Sequence, residues 1–342
     1  MSASILSSPH LGALSQPSKG DQVDQHITTG FQSASELKQL FMLVGKSFDV
    51  VQVSRGALHG QFSLTSLGSM VLLEIRTNQR LLLNGDRGAD CMSFCLEATG
   101  LADEHLMHNK PIAPYSLNGF RQGQKESHFQ LTANTTTYFI ILSISRFNAF
   151  ISYCEREDLI EQLEASNALQ ITPAMHAHFR KTCQRLLVRP AITSEKKRQI
   201  TNHLYAELVK SISDKFNISY LPHAPSPRQI LIKEFVNWAF ENTRDGCNLD
   251  QISESLFASR RTLIQGAKEA FGMGPMEMMK HIRLEQVNWI LRSSEAREDE
   301  RFKTISQVAQ HYGFQSRGHF AKAYQKLFAE TPSETWLKST NP

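Results

Sequence analysis

The stretch Thr304-Ile-Ser-Gln-Val-Ala-Gln-His-Tyr-Gly-Phe-Gln-Ser-Arg-Gly-His-Phe320 decides how this chain is read. An earlier stretch, Asn248-Leu-Asp-Gln-Ile-Ser-Glu-Ser-Leu-Phe-Ala-Ser-Arg-Arg-Thr-Leu263, can be laid beside it. Each begins with a residue suited to cap a helix, Thr304 or Asn248, and each carries a glutamine three places on, Gln307 or Gln251. That spacing is the capping-box signature, in which the cap side chain accepts an amide N–H and the third residue reaches back. A short helix, a tight turn and a serine follow, and Ser316 or Ser259 can cap a second helix. Apolar residues recur at helical spacing in both copies: Ile305, Val308, Ala309, Phe320, Tyr324 and Leu327 in one, Leu249, Ile252, Leu256, Leu263 and Phe271 in the other. The sequence therefore predicts two helix-turn-helix units, each with a second helix shaped for the major groove of DNA.

The outer ends of the units are punctuated as well. Phe271-Gly-Met-Gly-Pro275 puts glycine just past one helix and proline just inside the next, and Thr331-Pro-Ser-Glu334 is another capped start. Between the copies, Pro275 to Arg292 reads as one helix, whose length is about 27 Å at 1.5 Å per residue. Successive major grooves on one face of a duplex lie about 34 Å apart. A stiff connector of this order, plus the bodies of the two units, suits a double reader of DNA.

Overall charge does not make this argument. The 342 residues hold 37 Lys plus Arg against 33 Asp plus Glu, and the part from Arg228 onward has 16 basic and 14 acidic residues. Placement carries the case instead. In the first unit Arg261, Ile264, Gln265 and Lys268 form one stripe, opposite Leu263, Ala267 and Phe271. Arginine pairs with guanine N7 and O6, glutamine with adenine N6 and N7, and an isoleucine can meet a thymine methyl. Arg260 and Lys268 suit phosphates. In the second unit the equivalent stripe is Gly318, Ala321, Lys322 and Gln325, so Arg317, His319 and Lys322 are left for phosphate or shape contacts. The first unit is expected to discriminate sequence and the second to grip.

The amino-terminal half has another texture. After a polar, Ser- and Gln-rich start come short runs rich in Val, Ile, Leu and Phe: Asp49–Ser54, Leu58–Leu67, Met70–Thr77, Cys91–Ala98, His128–Thr132 and Thr136–Ile144. Breaks fall at Asn84-Gly85-Asp86 and Asn118-Gly119, a pattern of a sandwich or barrel. A helix is expected near Ser35 to Val44, and helical spacing returns over Met175–Val188 and Ser194–Ser213. The apolar stripe Leu186, Leu187, Ile200, Leu204 and Leu208 is a candidate dimer surface, or else a cover for the barrel. Three prolines in Tyr220–Pro227 predict a linker, followed by a helix over Ile230–Thr243 with Ile230, Phe235, Trp238 and Ala239 in its core.

Signs of other chemistry are weak. The five cysteines (Cys91, Cys95, Cys154, Cys183, Cys247) show no paired metal spacing and read as reduced thiols in a cytosol, with Cys91 and Cys95 on the same side of a strand. His59 stands alone, His105 and His108 fall in a loop, and His176 and His178 do not share a helix face. No phosphate loop, nucleophile elbow or paired carboxylates stand out, so no enzyme, metal or cofactor is expected. No signal peptide or membrane span is seen. The expected location is cytoplasmic.

At residue level the second copy resembles the signature of the AraC/XylS family of bacterial regulators almost position by position, from Thr304 to Ser333. Ile282-Arg-Leu-Glu-Gln286 is similar to that family's connector helix, and the resemblance covers about Ile230 to Ser339. Two departures stand out: Gly266-Ala267 where a large apolar residue and an aromatic are usual, and Ala329 where glycine is common. The resemblance implies an amino-terminal domain, often a cupin-like barrel, that binds a small effector or mediates a homodimer. It also implies promoter DNA and RNA polymerase as partners, with activation expected and repression equally compatible. Arg55-Gly-Ala-Leu-His-Gly-Gln-Phe62 is similar to ethanolamine-utilisation regulators of that family, too briefly to name a ligand.

The expected fold is α+β. Residues 1–30 are disordered, 31–146 form a β-rich effector-sensing domain (cupin-like barrel or sandwich), and 147–219 form a helical dimerisation and linking segment. Residues 220–228 are a linker, and 229–339 form the all-α DNA-binding domain. Two rivals are an AraC-like alkyl-transfer repair protein, which needs a metal-held cysteine cluster, and an effector-independent DNA-organising protein.

Overall fold

A computed structural model describes residues 26–88, 90–100, 104–122, 124, 126–188, 193–214, 218–222, 225–243 and 247–339. The chain divides into two compact units. One runs to Val50 and again from Leu58 to Lys233; the other takes Val51–Ala57 and everything from Glu234 onward.

The first unit is a two-sheet β-sandwich with helices on one side. In chain order it holds β1 (His26–Phe31), α1 (Ala34–Met42), β2 (Ser47–Gln52, its last two residues counted with the other unit), β3 (Gly60–Ser66), β4 (Met70–Thr77), β5 (Leu81–Asp86), β6 (Cys91–Glu97), β7 (Leu106–Met107), β8 (Lys110–Pro111), β9 (Ser116–Asn118), β10 (Glu126–Leu131) and β11 (Thr135–Ser143). Then come α2 (Ile144–Tyr153), α3 (Asp158–Ala165), β12 (Ser166–Gln170), α4 (Pro173–Leu187), α5 (Ser194–Ser213) and β13 (Ser219–Pro222). Among the described residues the larger sheet has the order β1-β3-β4-β11-β6-β9-β12-β13, and the smaller β2-β5-β10-β7-β8.

Burial on both faces explains why the central strands read as apolar runs rather than alternations. In β11, Phe139 and Ile141 enter the core between the sheets with Phe41, Phe62, Phe129 and Leu83, while Tyr138, Ile140 and Leu142 face an outer core. Cys95 lies in the inner core and Cys91 packs against it, so the two do share a side.

That outer core decides between two expectations. Leu186, Leu187, Leu204 and Leu208 are buried within it and Ile200 packs on it, so the stripe read as either a dimer surface or a cover is a cover for this unit's own sheet.

Other corrections are local. The stretch read as disordered through residue 30 ends sooner, because residues 26–31 pair as β1 with β3; its first 25 residues lie outside the described part. Asn84-Gly85-Asp86 is not a break but the end of β5. Gly85 sits at φ 136°, and a Cβ there would come within 2.5 Å of the Ser47 carbonyl oxygen, so a bare backbone lets β2 approach. Ser166–Gln170 interrupts the helical segment as a strand. The linker at 220–228 begins as β13, paired with β12, and ends inside the next helix.

The second unit is helical: α6 (Pro227–Glu241, shared with the first unit), α7 (Leu249–Ser255), α8 (Arg260–Phe271), α9 (Pro275–Arg292), α10 (Ile305–His311), α11 (Arg317–Phe328) and α12 (Pro332–Lys338). In α6, Phe235 and Ala239 are buried as expected, but Ile230 is exposed. Asn248 and Gln251 form the complete capping box, as do Thr331 and Glu334; Thr304 caps α10 by accepting the Gln307 amide. Ser259 and Ser316 cap α8 and α11, and Gly272 ends α8 in the left-handed region. Ala329 ends α11 at φ 57°, a conformation that costs a residue with a Cβ roughly 1–2 kcal/mol. The acidic run Glu295–Glu300 coils into two short 3-10 turns, its Asp299 ion-paired with Arg301.

Candidate nucleic-acid interface

The two helix pairs repeat a structural detail as well as a sequence pattern. Arg260, first residue of α8, is ion-paired with Asp250 at the second position of α7. Arg317, first residue of α11, donates from Nε to Ser306 Oγ at 3.1 Å, and Ser306 holds the second position of α10. In both units the leading arginine braces the second helix against the first. Period and type predicted the residues; this engagement of their guanidinium groups had no local signal.

On α8, Leu263, Gly266, Ala267, Ala270 and Phe271 are buried, so the unusual Gly266-Ala267 pair lies on the packed face. Arg261, Ile264, Gln265 and Lys268 line one open surface together with Glu269. The expected stripe is therefore assembled, with Ile264 only half-exposed. Glu269 is the member that sequence reasoning missed: Gln265 Nε2 donates to its Oε1 at 3.0 Å, so the glutamine amide is already held by a helical neighbour.

On α11, Phe320, Tyr324, Leu327 and Phe328 are buried, and Arg317, Gly318, His319, Lys322, Gln325 and Lys326 are exposed. The expected Arg317, His319 and Lys322 share this solvent face. Lys326 adds a second cation one turn beyond Lys322, a contribution the four-residue stripe did not include.

The turns differ. Phe257 stands at φ 49° and is 98% exposed, at the place after α7 where the second copy has Gly313 at φ 81° after α10. Nothing in the structure explains a phenylalanine there.

A family model described as a helix-turn-helix domain matches residues 252–337. Over 100 residues the chain is 31% identical to XylDLEGF operon transcriptional activator 2 of Pseudomonas putida, covering 29% of this chain and 61% of that protein. It is 27% identical over 97 residues to the HTH-type transcriptional activator RhaS of Escherichia coli O157:H7, covering 28% of this chain and 32% of that one. The chain thus spans less than two thirds of either relative. Among solved structures, an AraC-type regulator from Chromobacterium violaceum is similar at 26% identity, over 33% of this chain and 96% of that one, with a TM-score of 0.30. Residues 252–337 thus match a helix-turn-helix domain, in a part of the chain that is similar to bacterial transcriptional activators.

In this helix-turn-helix domain the connector α9 is buried almost all round. Met278, Met279, Ile282, Leu284, Val287, Ile290 and Leu291 surround its axis, as expected of a helix packed on several sides. Two buried polar residues stand one turn apart on it. His281 Nδ1 donates to the Gln52 carbonyl at 3.1 Å, and Glu285 Oε1 accepts the Gln52 amide N–H at 2.8 Å. Burial outweighs that amide and the nearby Arg292 charge and pushes the Glu285 carboxyl up to about 8.

The sign follows from linkage. The unfolded chain ionises Glu285 near the usual carboxylate value, whereas the folded domain keeps the proton until about pH 8. Its stabilising effect is complete below that usual value and is lost as pH rises to about 8. Replacing Glu285 by glutamine keeps an acceptor without the ionisation. Thermal unfolding from pH 5 to 8 should therefore lose up to about 1.4 kcal/mol per pH unit in the parent through this group, a slope missing from the Glu285→Gln variant. Equal slopes in the two proteins would contradict this assignment.

Among the described residues no group of three or more His, Cys, Asp or Glu is placed to hold a metal ion, and no helix is long and apolar enough to cross a membrane.

Proposed function

We propose that this chain is a sequence-specific transcription regulator that inserts α8 and α11 into successive major grooves of a promoter element. The observation that carries this reading is the duplicated helix pair, each braced by its leading arginine and exposing its second helix, on either side of the 18-residue helix α9. Arg261, Ile264, Gln265 and Lys268 face bases and phosphates from the first unit, and Arg317, His319 and Lys322 hold the backbone from the second. Arg260 supports α8 while its charge stays near the phosphates. The relatives' names support activation, which would bring RNA polymerase as a partner.

An effector site between the two sheets of the first unit fits the same reading. The hydroxyls of Ser93 and Thr137 are buried without a hydrogen-bond partner, and the buried His105 ring has the Gln130 backbone nearby. His105 stacks on Phe129, Ser93 is two residues from Cys95 on β6, and Thr137 two from Phe139 on β11, all three neighbours belonging to the inner core. Burial lowers the His105 pKa to about 4, so the imidazole is neutral and offers one donor and one acceptor to a small polar molecule. Homodimerisation is the family's arrangement, and here it must use surfaces other than the buried α4–α5 stripe.

The test is selection from random duplexes with the full chain, followed by sequencing of what is retained. A recurring bipartite element supports the reading. A retained pool as random as the input refutes it.

A further inference from the structure

The segment Val51–Ala57 lies some 180 residues before the DNA-binding domain in sequence, yet it is part of that unit. Its polar groups are spent there. Gln52 is 1% exposed, and its backbone N–H and C=O are taken by Glu285 and His281 of α9. The Gln52 side-chain amide donates to the carbonyls of Leu327, at 3.0 Å, and of Gly56, at 2.6 Å. Gly56 N–H donates to the same Leu327 carbonyl at 2.9 Å. At the rim, Arg55 Nη2 meets Glu277 Oε1 at 2.6 Å.

Leu327 is the next-to-last residue of α11, so its carbonyl has no partner within the helix and must find one elsewhere. Ordinarily a glycine-ended cap or water supplies it. Here two donors from residues 52 and 56 supply it, and Gln52 itself ties to α9 by two further hydrogen bonds. The second recognition helix and the connector are thus joined through a piece of chain that neither helix pair contains.

We propose that residues 51–57 are a strap that caps the second recognition helix and fixes it to the connector, and that strand β2, from which the strap emerges, regulates DNA affinity by holding or releasing it. The inference rests on the DNA-binding reading above, but its first test needs no DNA. Buried groups left without partners when the strap leaves supply the coupling: the Glu285 carboxyl, the His281 ring and the Leu327 carbonyl each lose the bonds described.

Native-state hydrogen exchange on the full chain, read by mass spectrometry, tests the structural part. Peptides covering residues 51–57 are expected to exchange in step with those from the end of α11 and from α9. Exchange in step with β3 and β4, independent of α11, overturns the proposal. The Gln52→Ala variant tests the regulatory part, because it removes the side-chain donor to Leu327 and keeps the backbone pair. Its affinity for the selected duplex should fall roughly tenfold, the factor that 1.4 kcal/mol represents, with protection lost at 51–57 and α11 and unchanged at β3 and β4. Parental affinity in Gln52→Ala overturns it. Arg55→Ala, altered only at the exposed rim, gives a milder version of the same pattern if Gln52→Ala does not fold. In the parent, bound duplex should slow exchange of 51–57, and no change there also counts against the proposal.

Discussion

Arg261→Ala is expected to lower affinity for the selected duplex by roughly 5- to 150-fold while leaving binding to unrelated duplexes nearly intact, because a bidentate arginine–guanine pair carries about 1–3 kcal/mol of discrimination. The expectation depends on where the side chain stands. Arg260 is occupied by Asp250, whereas Arg261 opens onto the same exposed surface as Ile264, Gln265 and Lys268. Lys322→Ala should behave differently. Its ammonium stands on the exposed face of α11, beside Gly318 and Ala321, which offer no base-reading groups. Removing one phosphate contact weakens all sequences alike and reduces the slope of log affinity against log salt by about 1. Titrations of both variants on specific and random duplexes at several salt concentrations decide the matter. Identical behaviour would end the division of labour between the two units.

The largest expected loss of stability comes from Tyr324. It is fully buried on α11, its ring 5.8 Å from Phe320 and 4.7 Å from Phe328. Its hydroxyl accepts from Asn288 of α9 at 2.6 Å and donates to Thr335 of α12 at 2.8 Å, so one side chain joins three helices. Tyr324→Phe leaves the buried Asn288 amide short of an acceptor, at a cost of about 1–3 kcal/mol. Tyr324→Ala adds a cavity, and large aromatic truncations of this kind cost about 3–5 kcal/mol. For a domain near 100 residues the alanine variant should melt at least about 12 °C lower, since each kcal/mol moves the midpoint by about 4–8 °C. Calorimetry should show that loss in the carboxy-terminal transition. A midpoint within 3 °C of the parent would mean that these helices are held by something else.

The carboxy-terminal helical unit was readable in advance because its instructions are local. Asn248 with Gln251, Thr331 with Glu334, Gly272 and Pro275 each act within a few residues, and Pro275–Arg292 formed with the expected ends. The stripe Arg261, Ile264, Gln265 and Lys268 was readable for the same reason, since helical period fixes which side chains share a face. The sandwich was readable as a class but not in detail. Its strands bury both faces, so β5 looked like a turn at Asn84-Gly85, and β12 and β13 were hidden inside stretches read as helix and linker. The stripe Leu186, Leu187, Ile200, Leu204 and Leu208 stayed open between dimer surface and cover because an apolar helix face does not say what covers it. The strap was invisible in principle: Gln52 meets Glu285 and Leu327 across more than 200 residues, and no periodicity reports such a pairing.

Hydroxyl-radical footprinting of the full chain on its selected duplex interrogates the double reader most directly. Each bound chain should shield two stretches on one side of the helix, their centres about one turn, or 10 base pairs, apart. A lone shielded stretch per bound chain, or shielding spread evenly around the duplex, would show that α8 and α11 do not enter neighbouring grooves together.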